Sequence, residues 1–508
     1  MRNQAKLKGR ARFSSIILVP PPKPRLVAVF ALACASVAAA AACSGKGTTV
    51  NLGGEQPALS AAGASGKSGT NAGGIGMTGA GGGLNVDGGQ TIVTCSPGVT
   101  TSVSGFVYDP AGKVPLYNAV VYAPTSATLP PFMHTVQCER CTDPVPAQAV
   151  ALSDADGHFV LNDVPYGTNV KLVVQVGKWR RLTTIPSIEP CQDNPLTDKD
   201  LTRLPRTQGE GDIPKIALST GHSDALECLL RKIGIDDSEF TTDAGAGRVN
   251  LFVGCIDDPG KEFPTNQFSA GLGGGSFPST NALFDSNKLS DYDAVIFSCE
   301  GHKCDTIQTP TNIAKLNAYE DSGGRVFLDH DHYNWLKSAN APIESAATFS
   351  SSPDVPSPLA TKINTTNFPK GEAFADWLLS VHASSTRGAL DIYGAKTSST
   401  SLDPNRAQSW IYSDPPGPVG FFYFTIGTPV AAQDNTPAPA ACGRVVFTDL
   451  HVSTQGVSAD FSRETAPFPT GCVSRDLSPQ EKALEFMLFD LTSCVQKEDA
   501  MPMPPPPK

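Results

Sequence analysis

The period of the apolar residues changes once along this 508-residue chain, between residues 190 and 212, and the change separates two kinds of foldable sequence. Before it, apolar residues alternate. Residues 103–108 (VSGFVY), 118–123, 158–161 and 170–176 place apolar side chains at every second position, the period of a half-buried strand. Turn sequences separate them, Asp109-Pro110-Ala111-Gly112 and Ser153-Asp154-Ala155-Asp156-Gly157. No stretch there has helical spacing, so residues 92–190 are expected to be a small unit of strands alone.

Beyond residue 212, apolar strands alternate with helices. Residues 213–220, 248–253, 293–298, 325–329 and 443–449 are short, buried-type runs. Residues 223–233 (SDALECLLRKI) put Ala225, Leu226, Leu229, Leu230 and Ile233 on one side of a helix, with Ser223 as N-cap and Gly234 as stop. Residues 313–321 and 478–492 are further helices, the last opening on a Ser478-Pro479-Gln480-Glu481 capping box. This alternation predicts a doubly wound parallel α/β sheet over residues 212–495, and hence a multidomain chain.

The two ends differ from this. Residues 26–42 are an uncharged apolar run behind a stretch with seven bases and no acid, the layout of an export signal. As a membrane span the run is weak, being short and almost half alanine. It closes on Ala40-Ala41-Ala42-Cys43-Ser44, which resembles a bacterial lipoprotein cleavage box, although Ala40 stands where that family prefers leucine. The resemblance implies a signal peptide over residues 1–43, a lipid on Cys43 that ties the protein to a membrane, and, through Ser44, the outer membrane. Ordinary cleavage near the same place, releasing a soluble protein, is the alternative.

Residues 44–90 hold 16 glycines and almost nothing apolar, too little to offset the entropy of ordering, so 44–91 is expected to be a disordered linker. Gly74-Ile75-Gly76-Met77-Thr78-Gly79 matches a dinucleotide-binding pattern by composition alone, with no strand before it and no helix after it. The Pro-rich residues 496–508 are expected to be a disordered tail. A net charge of −10, reached despite the basic start, argues against a nucleic-acid partner.

Eleven of the 13 cysteines follow Cys43, and in an exported chain they are read first as disulfides. Eleven is odd, so at least one is free or pairs with another molecule. Cys138 and Cys141 form a CxxC among prolines, which suits a local Cys138–Cys141 disulfide better than a redox or zinc motif. Cys299 follows a strand and lies near His302, as a nucleophile could. With Cys304 five residues on, a Cys299–Cys304 disulfide is the other expectation.

Gly105, Val107, Asp109, Gly112, Pro115-Leu116 and Ala119, then Asp154, Gly157, Phe159, Leu161, Val164-Pro165 and Gly167, resemble the carboxypeptidase regulatory-like family. That resemblance implies that residues 92–190 form a small antiparallel, prealbumin-like β-sandwich serving as an accessory or adhesion module without catalysis. Asp154 and Asp156 could suggest calcium, but a DxDG sequence without further acids reads as a turn. Farther on, Asp291-Tyr292-Asp293-Ala294-Val295-Ile296-Phe297 with Gly301, Gly323-Gly324-Arg325-Val326-Phe327, and Gly443-Arg444-Val445-Val446-Phe447-Thr448 resemble the class I glutamine amidotransferase-like superfamily, especially its ThuA-like branch. Those enzymes carry a nucleophilic cysteine in an elbow after the strand matched by residues 325–329. Here that place reads Leu328-Asp329-His330-Asp331-His332, so amidotransferase activity does not carry over and no catalytic residue is assigned.

Histidine is what gathers. Of eight, His222, His302, His330, His332 and His451 follow strands expected to be parallel, at the edge where ligand sites form in open α/β sheets. His330 and His332, two apart in an extended segment, would point the same way. Asp329 and Asp331 could orient them or join as ligands to a divalent metal such as zinc. Scattered structural histidines are the other reading. The expected function is therefore a non-catalytic surface or carbohydrate-binding role at the cell envelope, with a glycan or cell-surface ligand. The alternative is a metal-dependent hydrolase working through the histidine edge.

Overall fold

The strands before residue 196 form where the alternation predicts them, with three additions. The computed structural model describes residues 84–85, 91–255, 266–350, 353–430, 441–452 and 466–508. The signal segment, Cys43, nearly all of the Gly-rich linker and the residue 74–79 match lie outside the described residues. Strands β1 (Ser102–Phe106), β2 (Val120–Pro124), β3 (Ala147–Leu152), β4 (His158–Asn162), β5 (Gly167–Val176), β6 (Trp179–Ile188) and β7 (Asp193–Pro195) make two sheets. Their orders are β4-β1-β7 and β3-β2-β5-β6, antiparallel except for the β1–β7 pair. Val103, Phe159 and Leu161 from one sheet and Val121, Leu172 and Val174 from the other share a buried core. Gly177 opens the two-residue β5–β6 turn at φ +53°, and a Cβ there would lie 1.8 Å from Thr492 O, so only glycine fits.

The second region is built on a ten-stranded sheet. Its strands are β8 (Ile216–Thr220), β9 (Phe240–Thr241), β10 (Val249–Val253), β11 (Ala294–Phe297), β12 (Arg325–Asp329), β13 (Leu359–Ile363), β14 (Ala389–Ile392), β15 (Ala407–Ser413), β16 (Gly420–Thr428) and β17 (Gly443–Thr448). The order is β9-β10-β8-β11-β12-β17-β16-β15-β13-β14. The first six run parallel and the last four join antiparallel, a wing the strand–helix alternation did not anticipate.

Successive residues of the central strands go to opposite faces. Leu218, Ile296, Phe327 and Val446 join one buried cluster, while Ala217, Val295, Leu328 and Phe447 join another. Helices α1 (Leu226–Lys232), α4 (Pro369–Ser380) and α5 (Pro479–Thr492) contribute to the first, and α2 (Pro310–Asp321) and α3 (Tyr333–Lys337) to the second. Ser478 caps α5 with the expected capping box. At α1 the expectation fails: the cap position is Ala225, and no side chain bonds there.

The sandwich and the ten-stranded sheet are not separate bodies, since all described residues belong to one compact unit. Trp179 meets Phe489 edge-on at 5.7 Å, and Trp377 Nε1 donates to Pro115 O at 2.7 Å. The chain end is also placed. Val145 N donates to Pro506 O and Lys508 N to Val145 O, so residues 505–508 follow an ordered backbone where a disordered tail was expected.

Disulfides complete the tie, and they correct both expected pairs. Cys138 bonds Cys442 and Cys141 bonds Cys494. Arg140 forms a parallel bridge with Val495, so the CxxC backbone is extended and residues three apart face different partners. Cys304 bonds Cys255, leaving Cys299 buried and free. Cys95–Cys191 and Cys228–Cys472 make five in all among the described residues, which fits an oxidising compartment. Among the described residues, no helix is long and apolar enough to cross a membrane.

Candidate metal centre

Four parallel strands end at one edge, and each is followed within two residues by a polar side chain. After β8 come Gly221, His222, Ser223 and Asp224; after β11, Ser298, Cys299 and Glu300; after β12, His330 and Asp331; after β17, Asp449, Leu450 and His451. Two of these loops are bound together. Ser223 N and Asp224 N donate to Cys299 O at 2.9 and 3.2 Å, an approach so close that a Cβ on Gly221 would lie 1.9 Å from that oxygen.

His330 follows β12 directly. It sits at φ +40° between β12 and the turn into α3, a left-handed conformation that costs a non-glycine residue about 1 kcal/mol or more. The bend aims its ring across the strand ends. His330 Nδ1 lies 3.1 Å from Cys299 Sγ and 3.4 Å from Asp331 Oδ2, and the ring meets that of His451 edge-on at 5.1 Å. Donor atoms of Cys299, His330 and His451 lie within 4.8 Å of one another, and so do those of Asp224, Asp329 and His451. Two trios that meet at His451 thus offer a thiol, two imidazoles and two carboxylates between them.

The Nε2 atoms of both His330 and His451 are buried without a hydrogen-bond partner among the described residues, as is Asp329 Oδ1. Such groups ordinarily find partners, because an unpaired buried polar atom costs about 1–3 kcal/mol.

The electrostatics are those of a buried acidic nest. Burial and the neighbouring Asp224 push the Asp329 carboxyl well above the usual range. Burial, then Asp329 and Asp331, does the same to the Cys299 thiol. Burial raises Asp331, lifts Asp449 to about 7 and lifts Glu300 to about 8. The imidazoles move the other way. Burial, then His451, drops His330 to about 2, and burial lowers His451. Burial thus favours the neutral form of both rings, the form in which imidazole coordinates a metal. A divalent cation there would offset the crowded acids and take the thiol as thiolate.

The expected ligand set is thus changed as well as concentrated. Asp329, His330 and His451 come together, with Asp331 beside them. His332 does not join. Residues 330–332 form a 3-10 turn, so the two rings diverge. Its Nε2 bonds Ser298 O at 2.9 Å, and Trp335 Nε1 donates to its Nδ1 at 3.1 Å, so the ring is a neutral structural strut with its pKa pushed down to about 4 by burial. His302 bonds Glu300 O from a half-buried position, and His222 stays on the β8–α1 loop outside the donor set. Asp224 was missed because its place suggested a helix start. It instead accepts from Ala225 N and, across the edge, from Val452 N. Cys299 was considered as a nucleophile or disulfide partner, never as a ligand. A second cluster, Cys255, Glu300 and Cys304, is no metal site, since its two cysteines are bonded to each other.

No family model matches this chain, and no curated protein matches it. Among solved structures it is similar to chains of two type II cohesin–X-dockerin complexes from Acetivibrio cellulolyticus, one a C-terminal and the other an N-terminal interface mutant. Identities are 17% and 15%, over 25% and 27% of this chain and 78% and 85% of those chains. Both have a TM-score of 0.15, a likeness that carries no argument about fold or function.

Proposed function

We propose that this is an exported, lipid-anchored envelope protein whose second region is a doubly wound, glutamine amidotransferase-like domain turned to metal-dependent hydrolysis. The carrying observation is the pair of imidazoles, His330 and His451, each with a buried ring nitrogen that has no partner among the described residues, beside the free thiol of Cys299. Cys299, His330 and His451 would hold a zinc-class ion, with Asp224 and Asp329 beside it. Three such ligands leave a position open, as catalytic zinc sites do. The ion would supply a water nucleophile near neutral pH. Asp331, 3.4 Å from His330 Nδ1, is placed to orient that ring, and its carboxylate would be at hand to take a proton from such a water. The reading of a non-catalytic surface protein has no comparable cluster of side chains at this edge to support it.

The test is metal content of the full chain, exported into an oxidising compartment and purified without chelator, beside a His330→Ala/His451→Ala variant. About one zinc, manganese or iron per chain, lost in the variant along with hydrolysis of ester and amide chromogens, is the expected result. No metal in either protein, even after reloading, sinks the proposal.

A further inference from the structure

The turn Asp109-Pro110-Ala111-Gly112, between β1 and β2, is where the sandwich rests on α1 and α5. Uncharged hydrogen bonds hold part of this junction. Ala111 N donates to Ile233 O at 2.9 Å, just past α1, and Trp377 Nε1 of α4 donates to Pro115 O. Beside them two acids meet. Asp109 and Glu485, the latter on α5, are both fully buried, and their carboxyl groups face each other. Asp109 Oδ1 accepts from Lys113 N at 2.7 Å and from Val114 N at 3.1 Å, which leaves Oδ2. No N–H or hydroxyl among the described residues reaches Oδ2 or either oxygen of Glu485.

The cations around this pair point elsewhere. Lys482, three residues before Glu485, donates its Nζ to Val381 O at 2.5 Å, and Lys113 pairs with Asp476 at 2.6 Å. Lys232 of α1 pairs with the buried Glu481 at 2.6 Å. Lys199 and Arg206 donate to carbonyls of the turn, Gly112 O at 3.1 Å and Pro110 O at 2.7 Å. Arg475 and His382 stand in the walls of the cavity that Asp109 borders. Attraction from Lys113 and Lys482 tempers the burial of the two acids without reversing it.

We propose that Asp109 and Glu485 share one proton, the Glu485 O–H donating to Asp109 Oδ2, and that this proton latches the sandwich to α5 until alkali removes it. One proton gives each group the partner that its surroundings withhold. Burial and the neighbouring Asp109 push the Glu485 carboxyl well above its usual range, and burial lifts Asp109 to about 6. At neutral pH the pair therefore keeps one proton and one negative charge. A carboxyl that folding makes harder to ionise stabilises the fold below its unfolded pKa and loses that contribution as pH rises through its folded value. Loss of the last proton would set two charges face to face in a buried junction, which favours a state with the turn released into water. Neither acid belongs to the metal centre, so the latch stands apart from the hydrolase proposal.

The experiment is hydrogen exchange of the full chain, read by mass spectrometry in mildly acid to alkaline buffers. Each rate is divided by that of an unstructured peptide at the same pH. A peptide covering the Asp109–Lys113 turn reports the latch, and one from β11 reports the sheet. In the wild type, protection of the turn should fall in alkali by up to about tenfold per pH unit while β11 keeps its own. Glu485→Gln carries an N–H donor for Asp109 at every pH and should abolish the fall. Asp109→Asn removes the opposing charge, leaves Lys113 N and Val114 N their acceptor, and should shrink the total fall. Turn protection that stays flat in the wild type overturns the proposal, as does a fall undiminished in both variants. An equal fall at β11 overturns it too, since the whole chain would then be unfolding.

Discussion

Cys299 and His330 meet, Sγ to Nδ1 at 3.1 Å, because the strands behind them are in register. Phe297 of β11 pairs with Leu328 of β12, so the residues two beyond each are brought side by side past the sheet edge. The positive φ of His330 then turns its ring toward the sulfur instead of along the strand. Neither residue reaches the other by chance of loop packing.

A thiolate ligand has a spectroscopic signature. Cobalt(II) loaded into the chain should show a near-ultraviolet sulfur-to-metal charge-transfer band, and Cys299→Ser should lose it while one ion still binds more weakly. Cobalt that binds at this edge without the band, or a band that survives Cys299→Ser, would remove Cys299 from the ligand set.

The disulfide pattern is open to peptide mapping without reduction. Cys138 should be recovered with Cys442, Cys141 with Cys494, and Cys255 with Cys304, while Cys299 should alkylate only after unfolding. Replacing Cys141 and Cys494 by alanine should lower stability by about 2–4 kcal/mol, read from urea midpoints, since the bridge closes a very long loop. A Cys138–Cys141 peptide would contradict the arrangement.

His332 should behave unlike His330. His332→Ala strips Trp335 Nε1 of its acceptor and Ser298 O of a donor in a buried place, a loss of about 2–3 kcal/mol by denaturant titration. Metal stoichiometry should stay at the wild-type value. If His332→Ala abolishes metal binding at full stability, the division between strut and ligand is wrong.

What the sequence made legible follows from what periodicity can carry. Alternation in residues 103–108 and 170–176 and the apolar runs 293–298 and 325–329 identified strands, because burial on fixed faces writes itself into residue order. It missed β3, an alanine-rich run, β6, rich in arginine and threonine, and the short polar β7, which depend on pairing with β2, β5 and β1. The histidine edge was half visible, since four strand ends can be counted in a sequence. That His332 would turn away and Asp224 turn in could not be counted, because a 3-10 turn and a hydrogen bond to Val452, 228 residues distant, decide it. Pairing of Cys138 with Cys442 is likewise a matter of which loops meet.

Glu320, on α2, gives a pH test away from the metal centre. Its side chain is 1% exposed and accepts from Asn317 Nδ2 at 3.1 Å. Burial, opposed by that bond and reinforced by Asp321, raises its pKa from 4.5 to about 8. Between those values the folded chain holds a proton that the unfolded chain has released. Its contribution to stability is therefore full below about pH 4.5 and declines as pH rises toward 8, by at most about 1.4 kcal/mol per unit, levelling beyond. Glu320→Gln keeps a neutral side chain at every pH and should remove that slope. Other buried acids, Asp449 among them, contribute with the same sign, so the measured quantity is the difference between wild type and variant across pH 5 to 8 in urea titrations. A difference that stays constant over that range would mean Glu320 is ionised in the folded protein, a buried charge on α2 whose hydrogen-bond partner is the neutral Asn317.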